Sequence, residues 1–472
     1  MGTFNSTGSG GNWTDDSTWA ETGQPAADGN DHVIITSGDT VTLTGNVGTG
    51  SLRVNGTLEG NYTVTLNDGG QSAILHNNGT INDTPNFTIT GGTNREIKND
   101  SSSTLGTVTI NSSGQTFTLA GPNTHTYEAL TITAGTLTTL DGSTSRNLTV
   151  TGDVSITGTL TGNASAITIG KMLEITNGGT YTETSGTTLI SGQPDGDYVL
   201  RNHDGGTYTK HATGILKIAR TSASGTKYAK FGEDVYNDVE LENSASGSVV
   251  AIVGVMNLAG DLTIVEGELR TYGGTGAIDV DGHVEIQSGG KFSTETSQLA
   301  AGGVNADFGS LQINSGGTYD ATPLTTTITS RTGGGYSWYA PTTGSIFNHN
   351  NGTVKLTYTG NETFWQGTGF YNLEIAGSTH YEHRYDDLTD GSGLTVYNNF
   401  TITEGRVRFN QAGDSVTVHG LTKMVGGQYC NTGTAPSGTH NYGNVVIEGG
   451  TWKLTSGTCN MSGIRKLGGT LS

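Results

Sequence analysis

Apolar and polar side chains alternate along this chain in short runs, and Gly, Asn or Asp breaks each run. The rhythm is plain in "RNLTVTGDVSITGTLTG" (146–162), "MNLAGDLTIVEGELRTYGG" (256–274) and "NNFTITEGRVRFNQAG" (398–413). Alternation of Val, Ile and Leu with Thr and Ser is the period-two mark of a half-buried strand, and the Gly and Asp-Gly breaks are turn positions. No stretch of ten or more residues carries helical periodicity with caps, so the pattern predicts an all-β chain. Strands this short, recurring every ~20 residues, wind more economically than they close a sandwich. The expected fold is a parallel β-solenoid, a right-handed β-helix of about 20 coils with two or three strands each, roughly 100 Å long at ~4.8 Å per coil.

A coarser repeat lies above this rhythm. "EITNGGTYTETSG" (174–186) returns as "EIQSGGKFSTETS" (285–297) and more loosely as "KMVGGQYCNTGT" (423–434). The Gly-Gly-x-aromatic marks fall at Tyr181, Phe292 and Tyr429, with a second set at Tyr208, Tyr319 and Trp452. The marks step by 111 and then about 135 residues, and a third set, "YEALTI" (127–132), "YNDVEL" (236–241) and "FYNLEI" (370–375), steps by 109 and then 134. The domain reading is a cap with the first strands at 1–45, then a continuous solenoid over 46–472 whose super-repeat units span about 126–235, 236–369 and 370–472. Val150, Leu258 and Val396 occupy matching places in it and are expected to point inward.

Composition agrees with stacked coils. Only 32% of the residues are hydrophobic and 76 are Gly, yet a net charge of −20 over 472 residues is too dilute to hold a chain unfolded. The excess of Asp and Glu over Lys and Arg (42 against 22) excludes phosphate backbones as the main partner, so no nucleic acid is expected. No membrane-spanning helix is expected, because no run of 18 apolar residues occurs. The start, "MGTFNSTGSGGNW", lacks the basic and apolar regions of a signal peptide, which favours assembly in a cytoplasm. Cys430 and Cys459 read as two small core residues or as a disulfide.

The segment 8–43 differs in kind. Trp13 and Trp19 stand ahead of the first strand pair, Val33–Ile35 and Val41–Leu43, and are expected to plug the open end of the first coil. Its "GNWTDDSTW" followed by Asp and a "VII" strand resembles the opening of repetitive β-solenoid surface proteins of bacteria and tailed bacteriophages. "FNHNNGTVKLTYTGNETFWQGTGFYNLEIAG" (347–377) is similar to phrases of long phage structural proteins, marine fibre and spike proteins especially. The resemblance implies an exposed virion or cell-surface structural protein, and carries no catalytic residue across.

Residues 336–385 are the densest in aromatics and histidine. Tyr336, Trp338, Tyr339, Trp365, His380, Tyr381, His383 and Tyr385 are the candidates for a saccharide-stacking surface, since sugars bind aromatic faces flanked by polar groups. The competing reading is a loop that packs its own rings. His380 and His383 with Asp386 and Asp387 do not make a convincing metal set, because three-apart histidines on a strand diverge, so no metal or other cofactor is expected. Asp386-Asp387 is a carboxylate pair of the kind polysaccharide hydrolases use, but adjacent acids on a strand face opposite ways.

These readings lead to a structural or adhesive virion protein, a fibre, spike or decoration, located at the virion surface. The alternatives are a polysaccharide-degrading tailspike and a bacterial cell-surface adhesin. Host-surface polysaccharide is one expected partner. Other virion proteins or symmetry mates are expected at the C-terminal end, where Ile464, Leu467 and Leu471 have no aromatic lid.

Overall fold

In the computed structural model all residues are described except 1, 9, 27–29, 69, 193–195, 222–223, 274–275, 295–302, 341–343, 367–368, 378–381, 386–392, 410–414, 430–437 and 454–456, together with a few side chains between 362 and 409. The described chain is almost entirely parallel β-structure with no α-helix, and winds as a β-solenoid of about 17 turns. That is somewhat fewer than the ~20 coils expected at 20 residues each, since stacking fixes only the strand segments and leaves the corners free to lengthen. One coil takes the 19 residues from Leu148 to Ile167, another the 28 from Tyr319 to Phe347. The chain forms two compact units, Met1–Ala223 with Lys227–Asn237, and Ser224–Thr226 with Asp238–Ser472.

In the first unit each coil gives one strand to each of three columns. Thr3–Asn5, His32–Ile35, Ser51–Val54 and Ala73–Asn77 form one, paired in parallel. Val47–Thr49, Thr63–Leu66 and Asn86–Ile89 form the second. Gly10–Asn12, Thr40–Thr42, Thr57–Glu59 and Thr80–Ile81 form the third. The long strands Thr104–Ala120 and His125–Thr138 turn corners without breaking, so His125–Thr138 meets three short strands of the next coil: Leu148–Val150, Val154–Ile156 and Thr159–Thr161. The second unit repeats the device. Leu262–Tyr272 pairs with both Ile278–Ile286 and Gly290–Ser293, and the ladder runs on to Thr458–Lys466 and Thr470–Leu471.

Alternation does what the sequence requires of it. Leu148 and Val150 face inward while Thr149 faces out, and Val150, Leu258 and Val396 are all buried. Each such side chain contributes about 1.5–3 kcal/mol by leaving water. The paired phrases also find their cause. Tyr181 lies in register with Tyr208, Phe292 with Tyr319, and Tyr429 with Trp452, so the two marks of each super-repeat unit sit on adjacent coils. All six rings are at most 3% exposed, and the paired centroids are 5.4, 5.8 and 4.2 Å apart. The glycines make the corner before each ring. Gly178 and Gly205 both sit at φ 83°, a region that a Cβ disfavours. A Cβ on the neighbouring Gly179 would lie 2.1 Å from the Ile156 carbonyl of the coil below.

Trp13 and Trp19 are buried in the N-terminal cap, their rings edge to face at 5.3 Å. The Trp19 indole N–H donates to the Trp13 carbonyl (3.0 Å), and the Trp13 amide donates to Thr42 (2.9 Å), which ties the plug to the third strand column. At the other end Ile464, Leu467 and Leu471 are 48%, 58% and 38% exposed.

His125 is a buried polar residue on which acid sensitivity depends. Its Nε2 is 2.9 Å from the Ala120 carbonyl and its Nδ1 is 3.2 Å from the Tyr127 hydroxyl, an arrangement that a neutral ring satisfies by donating at Nε2 and accepting at Nδ1. Burial pushes its pKa down to about 4, with the Arg146 charge acting in the same direction against the Ala120 hydrogen bond. The unfolded chain takes the proton near pH 6.5, so this stability is present above that pH and is lost as pH falls toward 4, by up to roughly 3 kcal/mol. Urea unfolding between pH 7 and 4 should therefore show a falling midpoint, and His125→Gln should flatten that slope.

Candidate functional site

The aromatic-rich segment divides by side. Tyr336 and Tyr339 lie on the strand Tyr336–Ala340 and face outward, half-buried, with rings 5.1 Å apart and edge to face. Trp338 does not join them. Its side chain is 0% exposed and packs in the core against Phe347 and Phe370 at 4.8 and 5.4 Å, so it leaves the saccharide surface proposed for it. A register shift between Tyr336 and Trp338 is the physical reason, because it turns Ser337 and Trp338 inward together and breaks the alternation that would have placed Trp338 on the same face as Tyr336.

Trp365 is in backbone register with Tyr339. His383 and Tyr385 lie on the strand Glu382–Tyr385, in register with Glu362 and Phe364. The side chains of these three residues, and His380, Tyr381, Asp386 and Asp387 entirely, lie outside the described residues. Cys430 does too, while Cys459 is a free, half-buried thiol.

Tyr336 and Tyr339 form one wall of an open cleft of about 630 Å³. The floor comes from the two preceding coils. Glu285, Gln312 and Tyr339 stack in register as one outward column. The Asn314 amide donates to Glu285 Oε1 (2.8 Å), and the Gln312 amide donates to Asn314 Oδ1 (2.7 Å). This chain of bonds fixes which atoms can donate and accept toward the cleft. His283 closes the far side with Nδ1 2.9 Å from the Ser310 hydroxyl, and burial holds its pKa below the usual histidine value even though Asp261 and Glu285 pull it up. A neutral imidazole, two phenol rings and a fixed carboxylate-amide relay suit a polyhydroxylated ring, which offers C–H faces to the aromatics and hydroxyls to the relay. Sequence reading found the tyrosines and missed His283, Glu285, Gln312 and Asn314. Nothing local marks them, and only the coil spacing of 27 residues from Glu285 to Gln312 and again from Gln312 to Tyr339 would have aligned them.

Among the described residues no group of three His, Cys, Asp or Glu side chains is placed to hold a metal ion. No described helix is long and apolar enough to cross a membrane. Carboxylates do meet on neighbouring coils at Asp279 and Asp307, which are in register. Burial raises the Asp279 pKa, and the nearby charges of Asp281 and Asp307 raise it further. A carboxyl whose folded pKa is raised costs stability above that pKa and nothing below the ordinary value near 3.8. Asp279→Asn is accordingly expected to raise the thermal midpoint at pH 7, with the difference vanishing at pH 3. No known family model and no curated protein matches the sequence.

Proposed function

We propose that the protein is a structural and adhesive β-solenoid of a bacteriophage particle, a fibre, spike or decoration at the virion surface that grips host-surface polysaccharide. The observation that carries the adhesive half is the cleft beside Tyr336 and Tyr339, where outward rings face a fixed row of Glu285, Asn314 and Gln312. The virion half is supported by the resemblance of "GNWTDDSTW" and of residues 347–377 to solenoid proteins of phages. A solenoid suits the task physically, since each coil adds length and outward surface while sharing its core with its neighbours.

Fluorescently labelled protein is expected to co-sediment with cells of the host bacterium. The double variant Tyr336→Ala with Tyr339→Ala should weaken that binding about thirtyfold, because each ring contributes of the order of 1 kcal/mol. Incubation with host envelope polysaccharide is expected to leave the count of reducing ends unchanged. New ends that Asp386→Asn with Asp387→Asn suppresses would instead assign the polysaccharide-degrading role.

The exposed Ile464 and Leu471 are proposed as apolar contacts toward another virion protein or a symmetry mate. Light scattering coupled to size exclusion should report self-association at tens of micromolar, and Ile464→Lys should abolish it. A monomer that is unchanged by the substitution would remove this part of the reading.

A further inference from the structure

A second recess in the Ser224–Thr226 and Asp238–Ser472 unit has the makings of a binding site, and it is lined by none of the eight residues named from the sequence. It is an open groove of about 730 Å³ beside the strand Ile346–Asn348. Asp320 and Asn348 stack in register at its base. Nearby, Tyr371, Tyr397 and His419 come directly after Phe370, Val396 and Val418, core residues that are themselves in register. The imidazole of His349 sits between two of these rings, 5.4 Å from Tyr371 and 5.4 Å from Tyr397. Tyr397 then stacks on His419 at 6.0 Å with the planes 4° apart.

The two sides of the groove differ chemically. One is apolar and wet at once. Ile346 is 49% exposed and Tyr397 is 45% exposed, against 6% for Phe347 and 0% for Val396 one position away. The other side is polar and held in place. Asp320 Oδ1 accepts from the Asn348 amide (2.6 Å), and its Oδ2 lies 2.8 Å from the Lys291 ammonium. The Asn350 amide donates to the Ala321 carbonyl at 2.8 Å. Asn351 donates its backbone N–H to His349 Nδ1 (3.1 Å), which requires that nitrogen to be unprotonated, and burial lowers the His349 pKa in agreement. The ring at the groove is thus neutral at physiological pH.

We propose that this groove binds a neutral pyranose polysaccharide, at a site separate from the Tyr336 and Tyr339 cleft. A sugar ring lays its C–H face on Tyr397 and Ile346, which removes both from water, and directs hydroxyls to the Asp320 carboxylate and the Asn348 amide. Carboxylate acceptors with preset geometry bind hydroxyl donors strongly because they are charge-assisted and already ordered. Acidic sugars are selected against. The carboxylate of Asp320 stands at the base, its counter-charge Lys291 is already engaged, and the chain carries a net −20. The neutral His349 offers no compensating positive charge.

Affinity electrophoresis of the full chain in native gels tests this. The neutral probes are soluble starch, dextran, yeast mannan and guar galactomannan, and the anionic probes are alginate and chondroitin sulfate. At least one neutral polysaccharide is expected to retard the protein, and neither anionic one. Tyr397→Ala and Ile346→Ser, both at exposed positions, should each reduce the retardation at least fivefold while circular dichroism stays unchanged. Tyr339→Ala reports separately on the other cleft, so a loss confined to that variant overturns this proposal and leaves the earlier reading intact. Retardation by no neutral polysaccharide, stronger retardation by an anionic one, or binding that survives both Tyr397→Ala and Ile346→Ser would equally overturn it.

Discussion

In-register stacking of parallel strands is the constraint from which the rest of this structure follows. Every coil directs its backbone N–H and C=O groups at the coils on either side, so equivalent residues become neighbours at about 4.8 Å. Apolar residues then meet apolar residues, as Leu148 meets Ile167 and Val150 meets Ile169. Outside, Thr149 meets Thr168, and uncharged hydroxyls stack without repulsion where charges of one sign would not. Among the described residues several charges answer each other across coils. Lys355 pairs with Glu374 at 3.0 Å, Lys423 with Glu448 at 3.1 Å, and His203 Nε2 approaches Glu174 at 2.8 Å. Asp279 over Asp307 departs from this pattern, and its raised pKa is the cost.

Alternation forbids a slip of one residue, which would turn the apolar face outward, but a slip of two keeps that face inside. The buried polar groups supply the choice. Tyr181 reaches the Thr188 hydroxyl at 2.6 Å, and Tyr319 reaches Thr326 at 3.0 Å and Thr294 at 3.3 Å. Near the end of the ladder Tyr429, Tyr442 and His440 share hydrogen bonds inside the core. A shift of two residues would strand each of these groups without its partner, at about 1–3 kcal/mol apiece. The rings therefore fill the coil interior and also pin it.

The same geometry makes the outside of the coil a place to build sites. Residues far apart in sequence line up when their separation equals the length of a coil, as Glu285, Gln312 and Tyr339 do, and a column can change chemistry from one coil to the next, as that one passes from carboxylate to amide to phenol. Rigid strands hold these side chains, so little order is lost when a ligand binds. Both recesses sit where an outward ring stands beside a carboxylate already tied to an amide.

The local pattern was enough to settle strand type, winding and inward positions. Period-two alternation and Gly punctuation act within a few residues, and so Val150, Leu258, Val396 and the Gly-Gly-x-aromatic rings could be placed from the sequence, as could Trp13 and Trp19 in the cap. The sites were another matter. A single register shift at Ser337 sent Trp338 into the core while its neighbours Tyr336 and Tyr339 stayed outside, and alternation gives no warning of such a shift. Which residues share a cleft depends on how many residues each coil takes, 19 in one and 28 in another, and those lengths were legible only once the coils had been stacked. Winding and the inward face of each regularly alternating strand follow from contacts between near neighbours and so are written in the chain; what meets on the surface, and the burial of Trp338, depend on the register between coils, which exists only once they are stacked.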